Sequence, residues 1–209
     1  DVGAQRVQLG GHLHVYLLQA RPKNDEKFPF DTLLYYDLEE VGANRVDLSK
    51  LVYGNLKFPS FFIPSRLERI LHGSCRKPHG GGDRGDALAL GDALMAETCD
   101  AVQIENQQRP ALLLLTGDQI YADDAAIALS AILRQKGEQL TGRQETLPSS
   151  AGAINPAQIS LHGRKDVLKQ HRSGFSSGQS ENHLFTFGEF AAMYLYVFGN
   201  AGGWKPPED

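Results

Sequence analysis

Along the first third of the chain, apolar and polar positions alternate with the period of two that marks half-buried strands. His12-Leu13-His14-Val15-Tyr16-Leu17 and Asp31-Thr32-Leu33-Leu34-Tyr35-Tyr36 have this character, with a polar, proline-bearing loop from Arg21 to Pro29 between them. A third β-rich stretch, Val52 to Ile63, carries Phe58, Phe61 and Phe62 and is broken by Pro59 and Pro64. Residues 1–64 are therefore expected to form a small antiparallel β region leaning on the rest.

After Pro64 the pattern changes to alternating strand and helix. Glu68-Arg69-Ile70-Leu71-His72 predicts a strand, and Asp86 to about Gln107 a helix, with Leu90, Leu94, Ala101 and Ile104 at helical spacing. Leu112-Leu113-Leu114-Leu115 follows Pro110 as an unbroken aliphatic run, the signature of a strand buried on both faces of a parallel sheet. Strand, helix, strand over this length predicts a βαβ unit, and with it an α/β fold for residues 65–209. Beyond it, Asp123-Asp124 is expected to cap a helix running from Ala125 to about Lys136 and ended by Gly137. Residues 138–180 are rich in Gly, Ser, Pro and charge and predict a lid or inserted loop, with a short helix near Asp166 to His171. The last expected element, Asn182 to Phe198, is a helix too apolar for a surface, and it needs a large partner.

Composition narrows the function classes. The net charge of −4 over 209 residues, with Lys and Arg dispersed, makes no nucleic-acid surface. No apolar run reaches bilayer length, so no transmembrane segment is expected. No secretory signal is visible, but the chain begins at Asp1 instead of Met, which leaves localisation open. Two cysteines, Cys75 and Cys99, do not make a disulfide framework, and Cys99 reads as a small core residue.

Candidate chemistry gathers at the ends of the two βαβ strands. Parallel strands end at the same edge of a sheet, where α/β folds bind ligands, so Cys75 and Asp118 should emerge side by side. Gly117 permits close backbone approach, and Asp118 and Tyr121, three residues apart, can face one crevice as ligands for a hard cation. Arg76 and Lys77 could meet an anionic substrate or simply be solvated, as could Lys165, Lys169, His171 and Arg172. Gly80-Gly81-Gly82 reads as a slack connection because no Gly-Lys-Thr pattern follows it. His12 and His14 share a strand face, which is ligand geometry, but no third ligand is identifiable near them.

Three segments together resemble one family. Gly73-Ser74-Cys75-Arg76, then Leu115-Thr116-Gly117-Asp118-Gln119-Ile120-Tyr121-Ala122-Asp123, then His183-Leu184-Phe185-Thr186-Phe187-Gly188-Glu189-Phe190 with Met193-Tyr194-Leu195 resemble the PhoD-like alkaline phosphatase and phosphodiesterase branch of the calcineurin-like metallophosphoesterases. The resemblance spans residues from about 66 to 198, and that family also places a β-sandwich-like region before its catalytic domain. It implies that Cys75 and Tyr121 ligate iron(III) and that Asp118 bridges to a second position held by calcium, with other divalent metals as alternatives. It further implies a phosphoester substrate, Arg76 among the substrate-binding residues, and hydrolysis across paired cations roughly 3.5–4 Å apart.

The family completes its site with motifs that carry a later aspartate, a Gly-Asn-His segment and late histidines, and none of those motifs occurs in this sequence. The resemblance therefore implies half of a metallophosphoesterase core, with the remainder supplied by a missing carboxy-terminal portion or a partner chain. The competing expectation is a non-catalytic interaction or scaffold protein that keeps half of an enzyme fold and docks through its apolar helix. A thiol enzyme built on Cys75 is the weakest reading, since no histidine is assigned beside it.

Overall fold

The computed structural model describes residues 2–39, 42, 45–76, 86–99, 108–149, 152–160, 162–171, 177 and 180–199. The chain is a mixed α/β protein of small two-stranded sheets and helices, which divides into two compact units: Ala20–Gln119, and Val2–Gln19 with Ile120–Asp209.

In the first unit, β3 (Leu34–Tyr35) pairs antiparallel with β4 (Ser60–Phe61), and the Tyr36 and Phe61 rings lie 6.4 Å apart. Arg109 is buried against β4, donating from Nη1 to Ser60 Oγ at 2.9 Å and from Nη2 to Ser60 O at 2.5 Å. β5 (Ile70–Gly73) and β6 (Leu112–Leu115) are parallel, in register from Ile70 opposite Leu112 to Gly73 opposite Leu115. Between them in sequence runs α1 (Ala87–Thr98), capped by Asp86, whose carboxylate accepts the Leu88 amide. The expected strand, helix and strand are all present, but the helix stops at Thr98, short of the expected end near Gln107; the thiol of Cys99, its C-cap, is buried as expected and pushed up by that burial.

β6 departs from its pattern. Its four leucines were expected to be buried on both faces, yet each is between 36% and 45% exposed. A continuous aliphatic strand is buried only when strands flank both edges and helices cover both faces. Here β5 takes one edge, among the described residues no strand takes the other, and a cleft opens between the sheet and part of α1.

The second unit is built on two helices, α2 (Ile127–Thr141) and α4 (Phe187–Phe198), with β1 (Val2–Gln8) and β2 (His14–Ala20) forming a two-stranded sheet. The turn between these strands docks on the end of α2, where the Gly11 and His12 amides donate to Thr141 and Leu140 carbonyls at 2.8 and 2.9 Å. Ile120, Ala125, Leu133, Leu184, Ala192 and Met193 make the core.

Two expected boundaries of α2 are corrected. Asp123-Asp124 do not cap it; the N-cap is Ala126, which makes no side-chain cap, because Ala125 is drawn into the core and the helix begins only beyond it. Nor does Gly137 end it. The helix runs on to Thr141 and stops at Gly142, whose φ of 73° is the left-handed conformation that closes a helix. Gly137 is interior because α4 crosses there: a Cβ on Gly137 would stand 2.5 Å from the carbonyl carbon of Gly188.

The helix expected from Asn182 begins instead at Phe187. Thr186 and Glu189 close a capping box at its start, each side chain bonding the other's backbone. The described part of 138–180 is not a free lid. It carries a bridge between Leu147 and Ile154 and the short helix α3 (Arg164–Gln170), close to the helical turn expected there. Side chains tie it down: Arg134 donates to Ala157 O, and Glu145 accepts the Gly188 amide at 2.6 Å.

The glycine cluster with Lys77, Pro78 and His79, the helical positions Ala101 and Ile104, Arg172 and the tail at Trp204 lie outside the described residues. Among the described residues no helix is long and apolar enough to cross a membrane.

Candidate functional site

The pairing of β5 with β6 does not stop where the strands stop. Thr116 N donates to Gly73 O at 3.0 Å, Cys75 N to Gly117 O at 3.3 Å, and Arg76 N to Asp118 O at 2.8 Å. The two loops thus leave the sheet as a matched pair, and the structure brings Cys75 and Asp118 together at one edge. Cys75 Sγ lies 3.9 Å from Asp118 Oδ2 and 3.4 Å from Ser74 Oγ, and the thiol is exposed.

Two backbone features mark this arrangement. Cys75 has a φ of 53°, a left-handed conformation that costs a residue with a Cβ roughly 1–2 kcal/mol. A Cβ on Gly117 would sit 2.7 Å from Ser74 Oγ, so a side chain there would turn that hydroxyl away.

Beside Cys75 opens a cleft of about 570 Å³ between the sheet and α1. Leu71, Leu113 and Leu115 line it from the sheet and Leu90 and Leu94 from the helix, while Cys75, Arg76 and Asp86 stand at its polar end. Gln119 also lines it; its Nε2 donates to Gly117 O, and its Oε1 is buried with no hydrogen-bond partner among the described residues.

Arg76 is already engaged. Its Nε donates to Asp86 Oδ1 at 3.2 Å and its Nη2 to Asp86 Oδ2 at 2.6 Å, the two-pronged geometry that makes arginine–carboxylate pairs strong. The bonds from Arg76, aided by the Leu88 amide, hold the Asp86 carboxyl below the ordinary carboxylate range against the opposing effect of burial. The sequence offered no signal for this pair, because the partners are ten residues apart across the glycine cluster. On the same sheet, His72 Nε2 meets Thr116 Oγ1 at 2.7 Å, a second cross-strand contact that no local pattern announces.

Tyr121 is half-buried and belongs to the second unit, which begins at Ile120. His12 precedes β2 instead of sharing a strand face with His14. His171 is bonded through Nδ1 to Ser149 Oγ at 2.8 Å. Among the described residues no three His, Cys, Asp or Glu side chains converge.

Cys75 and Asp118 are two donors of the kinds that hold a cation, and in this structure the thiol donates to the carboxylate. With bonds of about 2.3 Å to a thiolate and about 2.1 Å to a carboxylate, one ion spans ligand atoms up to about 4.4 Å apart, and 3.9 Å falls within that reach.

Comparison with protein-family models, with curated protein sequences and with solved structures returned no match.

Proposed function

We propose that this chain is the amino-terminal portion of a PhoD-like metallophosphoesterase, a metal-dependent phosphatase or phosphodiesterase whose metal centre includes Cys75, Asp118 and Tyr121. The carrying observation is the thiol and the carboxylate, delivered by two parallel strands to one sheet edge 3.9 Å apart, with the thiol also lining a cleft. The sequence pattern around Asp118 and Tyr121 adds the phenolate.

The residues divide the work by their donor chemistry. Cys75 and Tyr121 offer thiolate and phenolate, strong donors that suit iron(III), and Asp118 offers two oxygens that can join it to calcium or another divalent ion. A metal held by these residues would supply positive charge to a phosphoryl oxygen and acidity to a water. Apolar side chains of the sheet and of α1 line the cleft beside Cys75, a surface suited to the apolar part of a substrate. Further ligands are to come from outside the sequence described, from a carboxy-terminal portion or a partner chain.

The test is the metal content and visible spectrum of the purified chain, with hydrolysis of bis(p-nitrophenyl) phosphate measured alongside. Bound iron with a charge-transfer band is the result that supports the reading. Asp118→Asn should lower both metal content and hydrolysis, and Tyr121→Phe should abolish the band while the fold persists. Unchanged metal and activity in Asp118→Asn would sink the assignment.

The exposed leucines of β6 favour a second reading, a non-catalytic interaction protein that docks through this half-covered sheet. A metal-free chain that hydrolyses no phosphoester, alone or with its partner bound, would establish that reading over the first.

A further inference from the structure

The strained conformation of Cys75 needs restraint from outside the loop, because a left-handed residue with a Cβ relaxes unless its surroundings over-determine it. The restraint can be followed atom by atom. On one side Cys75 N is tied to Gly117 O, and on the other Arg76 N is tied to Asp118 O. The Arg76 side chain then runs to Asp86, which accepts two hydrogen bonds from the guanidinium. Asp86 is itself fixed, since its Oδ1 accepts the Leu88 amide at 3.0 Å at the start of α1. Both partners are largely covered, with side chains 16% and 25% exposed, so the pair is shielded where an ordinary surface ion pair is not.

We propose that Asp86 is a positioning residue: by holding Arg76 in a two-pronged ion pair it anchors the loop that sets the Cys75 thiol beside the Asp118 carboxylate. The inference rests on the metal-site reading above. It gives Arg76 a structural duty at the centre, with its charge shared with Asp86 instead of being offered whole to a phosphoryl group.

A helix cap alone would also explain Asp86, and one substitution separates the two roles. Asn caps helices about as well as Asp but cannot form the charged fork. Arg76→Gln breaks the same link and leaves the cap untouched. The probe is cobalt(II) titrated into the full chain, read by the sulfur-to-cobalt charge-transfer band, with far-ultraviolet circular dichroism as the check on folding. Cys99 is buried, and Cys75→Ser identifies the sulfur responsible.

The expected result is that Cys75→Ser abolishes the band, while Asp86→Asn and Arg76→Gln each weaken cobalt binding about tenfold, the size typical of residues that orient a ligand. The double variant should lose no more than either single one, because the two side chains act as a unit. Wild-type affinity in Asp86→Asn, or losses that add in the double variant, would overturn the inference and leave the metal site standing. Absence of a sulfur band in the unmodified chain would overturn both. If Asp86→Asn fails to fold, Arg76→Gln decides by itself, and full affinity there refutes the link.

Discussion

Gly137 of α2 and Gly188 of α4 lie backbone against backbone, each occupying the space that a Cβ on the other would need, with distances of 2.5 Å and 2.8 Å to the nearest carbonyl carbon. The main-chain atoms at this crossing have no flexible end to swing aside, so the contact fixes how closely the two helices pack.

Gly137→Ala should therefore destabilise the second unit, although alanine is the better helix former. Propensity favours the substitution by about 1 kcal/mol. Forcing a methyl group into a closed backbone contact costs about 1–3 kcal/mol and displaces α4. The expected net effect is a lower urea midpoint, and a raised midpoint would show that the crossing is looser than described.

Arg164 and Glu189 form the most buried ion pair among the described residues, with side chains 5% and 1% exposed. Glu189 accepts Arg164 Nη2 at 2.5 Å and Nη1 at 2.9 Å and also takes the Phe185 amide at 2.6 Å, while Arg164 Nη1 donates to His183 O at 2.6 Å. Removing either partner strands a charge in the core. Arg164→Met and Glu189→Gln should each cost about 3–5 kcal/mol, and the double variant clearly less than their sum. Chemical denaturation of the four proteins gives the coupling, and strictly additive losses would refute it.

Tyr53 sets an alkaline limit on the first unit. Burial and its 2.5 Å hydrogen bond to Asp92 push its phenol up from 10.0 to about 12. A raised folded value means that the contribution of the neutral phenol is fully present below pH 10 and is lost as pH rises towards 12. Urea midpoints measured at pH 8 and pH 11 should fall further for the unmodified chain than for Tyr53→Phe. Equal falls would assign the alkaline loss to other groups.

Several features were legible before any tertiary contact was known. The leucine run at 112–115, the strand ending at Gly73, the start of α1 at Asp86 and the placing of Cys75 next to Asp118 follow from local hydropathy and from the rule that parallel strands end at one edge. The true start of α4 carries a Thr-x-x-Glu signal at Thr186 and Glu189, which the apolar character assigned from Asn182 onward hides.

Tertiary structure decided the rest, for reasons that reach beyond a sequence window. Gly137 reads locally as a helix stop, and only the approach of Gly188, far along the chain, makes it an interior position. Arg76 reads as a solvated or substrate-facing cation until Asp86 is brought to it. Local sequence determines which segments become strands and helices because propensity and periodicity act over a few residues. Which side chains share a site, and which charges are neutralised there, depends on contacts between segments that carry no mark of one another.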